Sequence, residues 1–80
     1  MSQTLKSGQL NPTNVPDHKG KNICPGDRVL ILGNHPHAGK IGVYKGVEHV
    51  PVLGKWGCLV RFDDETGCYV FSSAHWQKAD

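Results

Sequence analysis

The chain has 80 residues and a formal net charge of +2 at pH 7, which bounds it to one domain. Its longest aliphatic run, Val29-Leu30-Ile31-Leu32, is far short of the ~20 residues that span a bilayer, so no membrane partner is expected. Three cysteines, an odd number, and an N-terminus without the ~7–15-residue apolar stretch of a secretory leader point to reduced thiols in a cytoplasmic setting.

Residues 1–22 hold only Leu5, Leu10 and Val15 as large aliphatics, with no period of strand or helix. They read as a flexible N-terminal arm in which Lys6, Lys19 and Lys21 face a single Asp17. The remainder, 23–80, is nearly neutral and makes one domain. A domain this small buries only about 60% of its chain's surface, so a homo-oligomer would be a natural supplement.

The turn Pro25-Gly26-Asp27 feeds a first strand that directs Val29 and Ile31 inward. Gly33 to Gly39 reads as a corner, because Pro36 lacks an N–H and cannot sit mid-sheet. Ile41, Val43 and Tyr44 return as a second strand through Gly46-Val47, and Glu48 to Gly54 reads as an apolar loop folded over one end of the barrel. Trp56 to Phe62 is the clearest strand, with Cys58, Val60 and Phe62 on one face and Leu59 and Arg61 on the other. Asp63 to Gly67 makes a turn with Gly67 suited to the left-handed position. Cys68 to Phe71 then returns with Cys68 and Val70 on the core face, and Ser72-Ser73 caps a helical turn that anchors Trp76. The expected fold is all-β: a small SH3-like barrel of four to five antiparallel strands, a short helical turn near the C-terminus and a disordered N-terminal arm.

Gly26-Asp27-Arg28-Val29 with the later Gly39-Lys40-Ile41-Gly42 resembles a KOW motif, found in SH3-like barrels of ribosomal and transcription-elongation proteins. The resemblance covers about a quarter of the chain and implies contact with RNA or a ribonucleoprotein surface. The spacing from Gly26-Asp27-Arg28-Val29 to Gly39-Lys40-Ile41 is also similar to that of the plasmid-borne type II dihydrofolate reductases, whose barrels share a pore between copies. Aligned through Gly67, the Gln-Ile-Tyr site strand of that family falls on Val70, Phe71 and Ser72, and its strand lysine on Ile31. The resemblance therefore implies the fold without the reductase groups.

Other constellations carry less chemistry. Gly33 to Lys40 fails as a phosphate loop, because Ile41 stands where a Ser or Thr must hold Mg²⁺ and the segment joins two strands. No two cysteines are closer than ten residues, and His35-x-His37 is the only close pair of soft ligands, so neither a metal nor another cofactor is expected. Cys24 has His18, Lys19 and Lys21 in reach, but nothing in the spacing stabilises a thiolate or supplies the third group that orients a base, and Asp63-Asp64-Glu65 reads as a solvated hairpin tip. No catalytic residue is assigned.

The surface with most potential is the outward parity: Tyr44, Lys45, Lys55, Trp56, Arg61, Tyr69 and Phe71, with Lys40 in the adjacent loop. Aromatic faces between cations suit single-stranded nucleic acid, where bases stack while cations track phosphates. Tyr, Trp and Arg equally dominate protein interfaces. The chain is thus expected to be a non-enzymatic binding module, its partner a nucleic acid or ribonucleoprotein, or alternatively a protein or a second copy of itself, with an oligomeric enzyme of the type II reductase kind, working through a shared pore, as the third reading.

Overall fold

The structure, a computed structural model, describes residues 10–79. Its strands are β1 (Leu10–Asn11), β2 (Val15–Pro16), β3 (Asn22–Ile23), β4 (Arg28–Ile31), β5 (Ile41–Val50), β6 (Lys55–Arg61), β7 (Gly67–Val70) and β8 (Trp76–Lys78), with a 3₁₀ turn at Ser73–His75 before β8. All pairings are antiparallel: the sheet runs β7-β6-β5-β4-β8, β1 adds to β5, and β2 pairs with β3 apart from it. The protein is therefore all-β. Among the described residues no helix is long and apolar enough to cross a membrane.

The core collects Ile23, Val29, Ile31, Tyr44, Val60, Phe62, Cys68, Val70 and Trp76. Alternation in β4, β6 and β7 fills it as the sequence pattern predicts. Val60 lies opposite Cys68 and Cys58 opposite Val70, so both strands of the hairpin turn the same residues inward.

β5 departs from the expected parity. Gly42 and Tyr44 face the core, while Ile41 is 52% exposed. Gly42 is required by close approach: a Cβ there would stand 2.5 Å from Val60 Cγ1 and 2.8 Å from the Arg61 carbonyl oxygen. After Tyr44 the ladder slips by one residue, from Tyr44 opposite Val60 to Gly46 opposite Leu59, leaving Lys45 as the extra residue of a bulge. Past the bulge Val47 and His49 lie opposite Cys58 and Trp56. The inward set thus changes from even to odd numbers, and the long strand bends around the core.

Three further expectations are corrected. Glu48 to Val50 stay in β5, leaving only residues 51–54 as the turn, and Val52 is 90% exposed there. The segment projects into solvent and covers nothing, because the β5–β6 ladder keeps its register as far as Val50 opposite Lys55. In the β6–β7 turn the left-handed position falls on Glu65 (φ 68°), where Gly67 was expected. Phe62 N–H donates to the Thr66 carbonyl at 2.8 Å and Glu65 N–H to the Phe62 carbonyl at 3.1 Å. These bonds close a three-residue loop whose last residue must be left-handed. Gly67 instead lies in β7 opposite Arg61.

Of the stretch read as an arm, residues 1–9 lie outside the described residues, and residues 10–22 include β1, β2 and the first residue of β3. Asp17 is 2% exposed and its carboxylate accepts N–H bonds from Lys19 (2.9 Å), Lys21 (2.8 Å) and Lys78 (2.9 Å). Trp76 Nε1–H donates to the Pro16 carbonyl at 3.1 Å, and His18 N–H to the Trp76 carbonyl at 3.1 Å. The β2–β3 turn is thereby fastened to β8. Burial alone would raise the Asp17 pKa, but the three backbone donors and the nearby His18 prevail and hold it below the ordinary carboxylate value.

Candidate functional site: a ring-lined groove beside β7

The residues read from sequence as one face do not all converge. Tyr44 is a core residue, 0% exposed, with its hydroxyl donating to the Thr13 carbonyl at 2.6 Å and its ring edge-on to Trp76 at 5.3 Å. Burial, with Cys58 adding, pushes its phenol up to about 12. Trp56 is exposed but shares the parity of Cys58 and stacks at 5.3 Å on His49, beyond the end of the core. Lys45 is exposed in the bulge, and Lys40 holds its Nζ 5.3 Å from the Phe62 ring.

Four of the predicted residues do share a face. Lys55, Arg61, Tyr69 and Phe71 belong to the outer parity of β6 and β7, together with Leu59 opposite Tyr69. The Tyr69 and Phe71 rings are 6.1 Å apart, and Lys55 Nζ lies 6.0 Å from the Phe71 ring. Gly57 makes room for them, since a Cβ there would meet Phe71 Cε1 at 2.8 Å and Tyr69 Cβ at 3.1 Å. The Tyr69 hydroxyl donates to the Glu48 carboxylate; that bond, aided by burial and by the carboxylate's charge, raises the Tyr69 phenol above its usual value. This face is mixed in charge rather than basic.

A groove of about 420 Å³ opens at its border. The β4–β5 loop supplies Asn34, His35, Pro36 and His37, β7 and its continuation supply Cys68, Tyr69 and Phe71, and the 3₁₀ turn supplies His75. The loop is held on three sides. Gly39 N–H donates to the Ile31 carbonyl at 2.8 Å, Leu32 N–H to the His75 carbonyl at 2.7 Å, and the His35 ring meets the Tyr69 carbonyl through Nε2 at 2.9 Å. The His35 tautomer follows from its partners. Nδ1 lies 3.1 Å from the His37 N–H and must accept, so Nε2 carries the hydrogen and donates to Tyr69. His35 is thereby committed as a structural staple, with both nitrogens engaged.

Sequence reasoning overlooked the imidazoles and Pro36 of this groove. The one signal was the His35-x-His37 pair. It reads as a solvated corner because nothing in the sequence brings the corner against β7 or His75. The ring centroids of His35 and His37 are 5.7 Å apart, and those of His35 and His75 6.3 Å. Among the described residues no three His, Cys, Asp or Glu side chains are placed to hold a metal ion.

The thiols are placed for packing. Burial pushes Cys58 up to about 11, and burial likewise raises Cys68 above its ordinary value despite the nearby Lys40. Neither is a thiolate at neutral pH. Of the positions aligned with reductase site residues, Val70 and Ile31 are 1% and 0% exposed, while Phe71 and Ser72 are exposed. A smaller hollow of about 200 Å³ is lined by Arg28, Ile41, Gly42, Val43 and Asp63 and offers no ring. No family model, curated protein or solved structure matches the chain.

Proposed function

We propose that the chain is a non-enzymatic docking module of SH3-like barrel type that takes an uncharged segment of a partner protein in the groove beside β7. The path β4-β5-β6-β7, a 3₁₀ turn, then β8 back onto β4 supports the barrel assignment and the likeness to KOW-type barrels. The reading places it in a reducing, cytoplasmic compartment, in keeping with the free thiols of Cys24, Cys58 and Cys68.

One observation carries the choice of partner: the groove is lined by rings, Pro36, Asn34 and Cys68, with no Lys, Arg, Asp or Glu among its lining residues. A nucleic acid strand brings one phosphate per nucleotide and binds through cations that displace its counterions. A largely apolar groove without Lys or Arg suits a protein segment instead.

Contact with single-stranded nucleic acid is a second reading, favoured by Lys55 over the Phe71 ring and Lys40 over the Phe62 ring. Amide-resolved NMR titrations separate the two. Short uncharged peptides are expected to shift His35, Phe71 and His75 with affinity insensitive to salt. Shifts at these residues by an eight-nucleotide thymidylate, lost steeply as salt rises, would replace the docking reading with the second.

A further inference from the structure

We propose that the outer edge of β7 is a strand-addition site, and that its occupant is an extended, uncharged peptide segment whose main chain pairs with Tyr69 and Phe71. The inference rests on the docking reading of the groove and specifies how the segment is held.

The directions of the backbone groups follow from the ladder. Phe62 N–H bonds the Thr66 carbonyl, and bonded pairs recur every second residue in an antiparallel ladder. Val60 with Cys68 and Cys58 with Val70 are therefore bonded pairs, and Leu59 with Tyr69 is an open one. In an open pair both the N–H and the C=O turn away from the partner strand. The His35 ring, 2.9 Å from the Tyr69 carbonyl oxygen, marks that direction independently. The Val70 carbonyl is turned to β6, so the Phe71 N–H, opposite it across the same trans peptide, turns to that side.

β7 ends the sheet, and nothing among the described residues pairs with this side of it as a strand. His35 engages the Tyr69 carbonyl alone, and the Tyr69 N–H meets no acceptor among the described residues. The groove runs along this edge. Groups of Tyr69 and Phe71 repeat at the two-residue spacing of a strand, ~6.6–6.8 Å, and a peptide main chain offers carbonyls at that repeat. Charge selects further: Pro36 and Phe71 form apolar walls, and no carboxylate or ammonium lines the groove to pair with a charged side chain. The occupant thus supplies backbone pairing along one side and an uncharged side chain into the groove at every second residue.

The test uses the full chain, uniformly ¹⁵N-labelled, with acetyl-Thr-Val-Thr-Val-Thr-amide as probe and the same peptide N-methylated throughout as control. With the probe at about ten times its dissociation constant, exchange of the Tyr69 and Phe71 amide hydrogens is expected to slow about tenfold. The amides of Cys68 and Val70, already bonded to β6, should be unaffected, and the N-methylated peptide should do nothing. Phe71→Ala, an exposed position, is expected to weaken the probe about tenfold without altering the melting temperature beyond a few degrees. If the probe shifts groove resonances while both amides exchange at unchanged rates, strand addition is wrong and groove docking stands. If neither peptide perturbs the groove at millimolar concentration, both readings fail.

Discussion

Replacing Tyr44 by Phe and by Ala tests the placement on which the fold and the site both depend. The side chain is 0% exposed and its hydroxyl donates to the Thr13 carbonyl at 2.6 Å. Removing that hydroxyl loses one hydrogen bond, about 0.5–1.5 kcal/mol, and the exposed position of Thr13 lets water take over its carbonyl. The expected cost of Tyr44→Phe is therefore about 1 kcal/mol, a fall of roughly 4–8 °C in Tm for a domain this small. Tyr44→Ala also forfeits ring burial and the edge-on contact with Trp76 at 5.3 Å. Its cost is about 3–5 kcal/mol, against a total stability of only about 4–12 kcal/mol for a chain of this length. Urea unfolding followed by tryptophan fluorescence reads both variants. Because the folded phenol is pushed up to about 12 from the ordinary 10.0, its contribution is complete below pH 10 and fades as the pH rises toward 12. Tyr44→Phe should shrink that alkaline loss. A Tyr44→Ala variant as stable as the wild type would refute the inward parity of β5 and return Tyr44 to the surface.

Other expectations follow from single positions. Glu65→Gly should stabilise by about 0.5–1 kcal/mol, since a left-handed L-residue costs ~1–2 kcal/mol and glycine's extra unfolded-state freedom offsets part of the gain; a lower Tm would contradict the turn geometry. Gly42→Ala should cost at least about 1–3 kcal/mol by overpacking, because the new methyl meets the Arg61 carbonyl at 2.8 Å and main chain cannot rotate away; unchanged urea stability would place β5 and β6 further apart. Asp17 keeps its stabilising charge above about pH 4 and loses it as the pH falls through a folded pKa lying below 3.8. Asp17→Asn sets an amide donor against one of the three N–H groups, so Tm should fall at pH 7 and its decline below pH 4 should flatten; an unaltered acid limb would remove Asp17 from the clamp. Iodoacetamide at neutral pH should leave Cys58 unmodified in the folded chain, its thiol held up to about 11, and rapid labelling would show that β6 is open at that residue.

Much of the fold was legible where hydropathy and alternation agree. β6 and β7, with Phe62 just past β6, carry Cys58, Val60, Phe62, Cys68 and Val70 at strict two-residue spacing, and these pack in or against the core as that spacing requires. β5 misleads because its inward face begins with Gly42, which has no side chain to signal burial, while its outward face shows Ile41 and Val43. The bulge after Tyr44 then reverses the parity with no turn residue to announce it beyond Gly46. Asp17 was illegible for a different reason: its partners are main-chain N–H groups, one of them in β8, and main chain carries no composition. The same holds for the groove. Its rings come from a loop, a strand and a 3₁₀ turn between residues 34 and 75, joined by a contact from an imidazole to a carbonyl.

Exposed side chains on so small a domain do not by themselves imply a partner. Much of any folded surface is apolar, and a core of this size leaves Val52, Leu53 and Trp56 outside it with no further explanation needed. An unpaired strand edge is different, because its N–H and C=O groups template addition by any chain and sheet proteins usually blunt it. Here the blunting is partial: His35 takes the Tyr69 carbonyl, and Pro36 brings no N–H of its own to the groove. The loop that defends the edge also walls the groove and is fixed by Ile31 and His75 rather than by the edge alone. Substituting His35 with Ala should consequently free the Tyr69 carbonyl while the loop keeps its other two anchors. If strand addition is the mode of binding, the strand probe then gains one main-chain bond and binds more tightly; if the groove merely accommodates side chains, losing an imidazole wall weakens it. The sign of that change separates an edge held in reserve for a partner from one that is simply left over.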